Sequence, residues 1–317
     1  MAEKPASRWW IAPAAAGVAF LAGLPLLLSA YTVSLLISVL AYASLATSWA
    51  FFSGTTRYIS LATAAFVGIG TYTVALLSDH LPLAVVLAIA HMIGFVIALG
   101  VGLSTLRLSG IYFVIFTFGL TELIKQLVIW FEINQTKTLA RYIFVNASGT
   151  LIYELLLATA TIVIAGVWWL SRSRVGYALR VIGEDEMVAR HSGIDTTRVK
   201  VLVFAATSAV MSMVGAVLSL RYTYVDPNIA FNSLVSFQVL IMALLGGIGR
   251  PWGPALGAVP LVLLSELLSG TFPHHFGIAL GICFVVIVFF LPGGVMGLVD
   301  RWSAWLPRSA LRRRKES

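Results

Sequence analysis

The chain is a succession of apolar runs separated by short polar breaks, near 10–29, 31–52, 58–78, 82–104, 109–131, 150–170, 201–221, 236–249, 253–269 and 276–292. About 20 mostly apolar residues in a helix cross the roughly 30 Å hydrocarbon layer of a bilayer, and most of these runs approach that length. The short alternating segments of a membrane barrel are not what the pattern offers. The predicted fold is therefore all-α, a polytopic helical membrane protein with about ten transmembrane helices, residues 1–317 forming one membrane domain. The eighth run is short. The segment "GGIGRPWGPALG" separates it from the ninth, and Gly246, Gly247, Gly249, Pro251, Gly253, Pro254 and Gly257 read as a helix break that also lets two helices approach closely.

Composition strengthens this reading. The 317 residues are 59% apolar and only 11% charged, with a mean hydropathy of +0.95, well outside the range of soluble domains. A net charge of +8 raises the question of nucleic acid. The basic residues, however, sit mainly in loops and in the tail "RRRKES", where they face an anionic inner leaflet, so the expected partner is the lipid bilayer and not nucleic acid. Loop 171–200 and the tail 293–317 hold six basic residues each. Ten passes put both on one side with Lys4, Arg8, Arg57, Arg107 and Arg250, which gathers 17 of the 21 basic residues there. That side, with both termini, is expected to be cytoplasmic, and 132–149 and 222–235 are expected to face outward. The first run is longer than the apolar core of a signal peptide and is read as a retained span. Cys283, the only cysteine, excludes an intrachain disulfide.

Candidate chemistry is sparse. No G-x-x-x-x-G-K-[ST] phosphate loop occurs, and no nucleophile triad or carboxylate pair stands out, so the chain is not expected to be an enzyme or to hold a cofactor. His274 and His275 are adjacent but lack further ligands at metal spacing, so no metal site is expected. His91, alone in the fourth run, reads as a satisfied interior histidine. Glu122 and Lys125 are the costliest residues in the apolar runs. At i and i+3 they can pair on one helix face, either as a structural pair or as part of a substrate path. A self-sufficient secondary transporter built on that pair is the competing reading.

Loop 171–200 contains ten of the 34 charged residues. Its pattern predicts helix, turn and helix, with Glu184, Asp185 and Glu186 at the start of a short helix and a left-handed cap at Gly193; Asp195 or Thr196 then caps the next span. A helix that short is marginal alone. Met187, Val188 and His191 share one face and form a small apolar stripe suited to a groove.

"RVGYALRVIGEDEMVARHSGIDTTRVKVLVFAATSAVMSMVGAVLSL", Arg174 to Leu220, resembles the cytoplasmic coupling segment and following helix of the LivM-type permeases of branched-chain amino acid ABC importers. "SGIYFVIFTFGLTELIKQLV", "LLGGIGRPWGPALGAV" and "SLATAAFVGIGTYTVALL" agree in order and spacing. The resemblance implies a membrane-spanning permease subunit in a bacterial inner membrane, passing branched-chain or other small amino acids. The implied partners are cytoplasmic ATPase subunits, a second, LivH-type permease and a periplasmic substrate-binding protein. Glu184 to Gly193 would then be the coupling helix. The chain departs from the usual family pattern in placing His191 and Ser192 before Gly193.

Overall fold

The computed structural model describes residues 11–108, 110–135, 137–145, 147–271 and 276–290. Every apolar run contains a helix: α1 (Ile11–Gly23), α2 (Ala30–Trp49), α3 (Thr63–Leu77), α4 (Leu83–Thr105), α5 (Ile111–Gln135), α6 (Gly149–Ser171), α9 (Thr196–Ser219), α11 (Leu234–Gly246), α12 (Gly253–Thr271) and α13 (Phe276–Phe290). Between them lie three short helices, α7 (Arg174–Glu184), α8 (Glu186–His191) and α10 (Pro227–Ala230). Among the described residues seven helices, fewer than the ten expected, are long and apolar enough to cross a membrane. The first and third runs form shorter apolar helices, and the 15-residue α13 ends where the described residues end. Helix α10 leads into α11, and the stretch Pro227–Gly246 reaches crossing length; the eighth span is therefore longer than its apolar core suggests, because polar Asn228 and Asn232 interrupt the pattern without ending the path.

The third run differs in kind. Helix α3 begins at Thr63, not near residue 58, and its 15 residues rise only about 22 Å. The segment before it is irregular and becomes buried at Ser60, Leu61 and Ala62. Irregular backbone inside a membrane bundle has to be hydrogen-bonded by its surroundings. Trp49 Nε1 donates to the Ser60 carbonyl at 2.7 Å, and the Ser60 and Leu61 amides donate to Ser53 Oγ and Thr117 Oγ1 at 3.2 and 3.0 Å. The Leu61 carbonyl accepts from Ser236 Oγ at 2.8 Å and from Thr121 Oγ1 at 3.4 Å. Scattered hydroxyls on α5 and α11 thus replace the missing helical ladder, while α2 widens into a π turn over Ala50–Gly54.

Helix α9 forms the centre, packed against α3, α4 and α2; α2 in turn carries α6, α11 and α12. Helix α5 is the least buried of the seven. Its inward stripe is Phe113, Thr117, Leu120 and Thr121, the spacing of one helical face. Helices α11 and α12 form an antiparallel hairpin: a Cβ on Gly246 would overlap the Gly253 carbonyl, and one on Gly257 the Met242 carbonyl. Gly247 (φ 91) turns the chain out of α11. Pro254 is the second residue of α12, where a missing N–H costs nothing; Gly249 and Pro251 lie in the turn itself.

The two ends of the bundle differ in charge. Arg141–Tyr142 pairs antiparallel with Tyr224–Val225, which joins 132–149 to 222–235 at one end. Helices α6 and α9 both lead from there to loop 171–200, so Arg57, Arg107, Arg172, Arg174, Arg180, Arg190, Arg198, Lys200 and Arg250 collect at the opposite end.

Candidate functional site

The charged segment folds as two short helices fastened to the membrane bundle. Ser173 caps α7, its hydroxyl accepting from the Val175 amide at 3.2 Å. Gly176, Ala178, Leu179 and Ile182 point inward, while Tyr177 and Arg180 point out. Gly183 lies so close to the Thr55 carbonyl that a Cβ would overlap it, which fixes the end of α7 against the end of α2.

Asp185 ends α7 and begins α8. Its extended backbone (φ −155, ψ 112) breaks the helix, and Oδ1 accepts from the Met187 and Val188 amides at 2.7 and 3.2 Å. Glu184, expected at the start of the short helix, instead closes α7. The extended residue between them divides the acidic triplet between two helices. Gly193 (φ 82) ends the turn after α8, with Ile194 N donating to the Ala189 carbonyl at 3.1 Å. Asp195 caps α9 through the Arg198 amide at 3.1 Å.

The short helix α8 is held from within the chain by Glu186. Its carboxylate turns inward and accepts from Lys200 Nζ through both oxygens at 2.9 Å, Tyr58 Oη at 2.6 Å, Arg190 Nη2 at 2.8 Å and Thr196 Oγ1 at 3.1 Å. Lys200 is 2% exposed and also donates to the Leu106 carbonyl at 3.2 Å, with the Tyr58 ring 4.4 Å away. Burial alone would raise the Glu186 carboxyl; hydrogen bonds from Tyr58, Lys200 and Arg190 outweigh it and hold the pKa at about 2. Four segments therefore meet at one ion pair: α8, the first turns of α9, the end of α4 and the loop after α2. Ala189, on the inner face of α8, is fully buried.

Because α8 is anchored from below, its outer face is left open. Met187 is 60% and Val188 54% exposed. His191, expected beside them in the stripe, is exposed too, but its Nδ1–H donates to the Met187 carbonyl at 2.7 Å. The ring thereby braces the helix and leaves Met187 and Val188 as the apolar part of the surface.

Glu122 and Lys125 do pair, at 2.7 Å, and Gln126 Nε2 donates to Glu122 at 3.2 Å. Glu122 is 46% and Lys125 17% exposed, on α5 beside the uncovered Leu123 and Leu127. Only one stripe of α5 packs on the bundle, and Glu122 lies a third of a turn away from it. His91 is partly buried on α4. Among the described residues no group of three or more potential metal ligands occurs; His274, His275 and the tail 293–317 lie outside them.

Sequence reasoning missed three groups: Lys200 as a partner of Glu186, Tyr58, and Glu132, a fully buried acid paired with Arg141 next to the β1 (Arg141–Tyr142) and β2 (Tyr224–Val225) ladder. An acid near the end of α5 followed nine residues later by a lone Arg was the one local signal available for the last of these.

Comparison with known proteins bears on these features. Residues 31–291 match the family model described as "Branched-chain amino acid transport system / permease component". The high-affinity branched-chain amino acid transport system permease protein LivM of Salmonella typhimurium is 26% identical over 264 residues, 73% of this chain and 62% of the relative. LivM of Escherichia coli K12 is 26% identical over 270 residues with the same coverage. The permease protein BraD of Pseudomonas aeruginosa is 29% identical over 131 residues, 41% of this chain and 42% of its own. The chain thus spans less than two thirds of the length of these relatives. No solved structure matches. With 261 consecutive residues covered by the family model, the chain belongs to the family of permease components of branched-chain amino acid transport systems.

Proposed function

We propose that the chain is a membrane-spanning subunit of an ATP-driven importer for branched-chain or closely related amino acids, and that α7 and α8 transmit movement from a cytoplasmic ATPase chain to the spans. The observation that carries this reading is the exposed Met187–Val188 face on a helix whose other side is locked to the bundle. A rigid, short helix with an apolar tip suits insertion into a groove of a partner. The lock means that force applied at that tip is passed to α9, α4 and the loop after α2 rather than absorbed by bending.

On this reading the basic end of the bundle is cytoplasmic, as the clustering of arginines and lysines favours, both termini lie on that side, and the membrane is the bacterial inner membrane. ATP hydrolysis belongs to separate subunits. A second permease chain, homologous to this one, covers α5, and a periplasmic binding protein delivers substrate at the β1–β2 end. Glu122 and Lys125 then stand at the boundary between the two permeases, beside the route. A self-sufficient carrier would instead be expected to enclose such a pair within its own bundle.

The test replaces Met187 or Val188 by Asp in the full transporter. An unpaired charge at an apolar contact weakens association by several kcal/mol. Capture of the ATPase chains should fall more than tenfold and ATP-dependent leucine uptake with it, while expression and melting temperature stay unchanged. Normal capture and uptake by both variants would refute the coupling role.

A further inference from the structure

At the basic end of the bundle a cavity of about 890 Å³ lies between the end of α2, the α6–α7 junction and the α11–α12 turn. Among the described residues four arginines line it, Arg57, Arg172, Arg180 and Arg250, against one carboxylate, Glu184. No lysine is found among the described lining residues. The arrangement is not a general property of this end: Lys200 is consumed by Glu186, and Arg198 pairs with Asp195 at 2.9 Å. Three of the four arginines are held by specific contacts. The Arg172 guanidinium stacks 4.1 Å above the Trp168 ring, that of Arg250 lies 5.4 Å from Trp252, and Arg180 Nη1 donates to the Ser171 carbonyl at 3.0 Å.

The walls change character along the groove. Phe51, Val167 and Ile248 come from the last turns of apolar helices and the adjoining turn, whereas the arginines come from the loop level. Trp168 and Trp252 sit where the two meet, the position such rings take at a membrane interface. A ligand for this site therefore needs a compact anionic group that can accept from planar guanidinium forks, and an apolar portion leading toward the bilayer. Phosphate matches the forks, and basic pockets between spans on the cytoplasmic side recognise anionic headgroups. We propose that the groove binds the phosphate headgroup of an anionic phospholipid, next to the segment that engages the ATPase. The side of the membrane follows from the function proposed above.

The probe is dioleoylphosphatidylglycerol in mixed micelles, compared with dioleoylphosphatidylcholine, added to the delipidated full transporter and read by native mass spectrometry. The wild type should retain phosphatidylglycerol in preference to phosphatidylcholine. Arg57→Gln/Arg172→Gln/Arg180→Gln should lose that preference by on the order of a hundredfold, about fivefold for each arginine near the surface. The corresponding triple Lys variant, which keeps charge and loses the forks, should retain part of it, and Arg198→Gln should behave as wild type. Equal retention of both lipids by the wild type, or an equal loss in Arg198→Gln, would overturn the site. Displacement of the lipid by inorganic phosphate alone would overturn the lipid assignment. Capture of ATPase chains from the same samples separates the two proposals. A variant that loses lipid yet keeps the ATPases supports the site and leaves the function intact, whereas wild type that keeps the lipid preference but captures no ATPase supports the site and removes the function.

Discussion

Among the described residues two glutamate–lysine pairs of nearly equal length occur, and they have opposite structural consequences. Glu122 and Lys125 meet at 2.7 Å within one turn of α5, on a face that the other described residues leave largely open. Glu186 and Lys200 meet at 2.9 Å between α8 and α9, with Lys200 enclosed and Tyr58 and the Leu106 carbonyl drawn into the same junction. The first pair links two residues already neighbours on a helix. The second ties four segments together at one point: α8, the start of α9, the end of α4 and the loop after α2. An ion pair contributes specificity in proportion to what it joins and how completely it is desolvated, and its separation alone says little.

The largest expected effect is at Lys200. Lys200→Met leaves the Glu186 carboxylate partly buried without its main cation, a change that costs about 3–5 kcal/mol when a buried pair loses one partner. Thermal unfolding of the detergent-solubilised chain should show it as a large drop in melting temperature. The double variant Glu186→Gln/Lys200→Met, with no charge left to bury, should recover more than half of the loss. Equal damage in single and double variants would mean that the two residues act independently.

Acid provides a milder route to the same junction. The Glu186 carboxyl titrates near 2 in the folded protein, against an ordinary value of 4.5. Its contribution to stability is therefore complete above about 4.5 and is lost as pH falls from there toward 2. Melting temperature should decline across that window in the wild type, and Glu186→Gln should flatten that part of the profile. An unchanged slope in the variant would assign the acid sensitivity to other carboxylates.

The smallest effect is expected at the exposed pair. Glu122→Gln should lower the melting temperature less than Lys200→Met, because the pair joins only residues one turn apart on α5. If α5 borders the route between two permeases, uptake should nevertheless fall. A large loss of stability together with normal uptake would reverse the contrast between the two pairs.

The difference also explains what was readable from the chain. Caps follow from contacts two to five residues away, so pattern placed one at Gly193, another at Asp195 or Thr196, and the start of α8 within Glu184 to Glu186 without singling out Asp185. The Glu122–Lys125 pairing was legible for the same reason, although its exposure was not, because an apolar run does not say which of its faces is covered. Lys200 could not be recognised as Glu186's partner: the bond crosses a turn, and its stability depends on Tyr58 and Leu106, far away in sequence. The late start of α3 was hidden as well. Tyr58 to Ala62 is as apolar as a helix, and its irregular path exists only because Ser53, Thr117, Thr121 and Ser236 supply hydrogen bonds from other elements.

The central claim is that the open face of α8 is the surface a cytoplasmic ATPase covers. The most direct measurement is the rate at which a membrane-impermeant maleimide labels Val188→Cys in a chain whose only native cysteine, Cys283, is replaced by Ser. In inside-out vesicles carrying the permease chains alone, labelling should be fast, as befits a side chain 54% exposed. In vesicles carrying the assembled transporter it should slow at least about tenfold, while a cysteine at exposed Arg198 remains reactive. Equal labelling of position 188 with and without the ATPase chains would contradict the account.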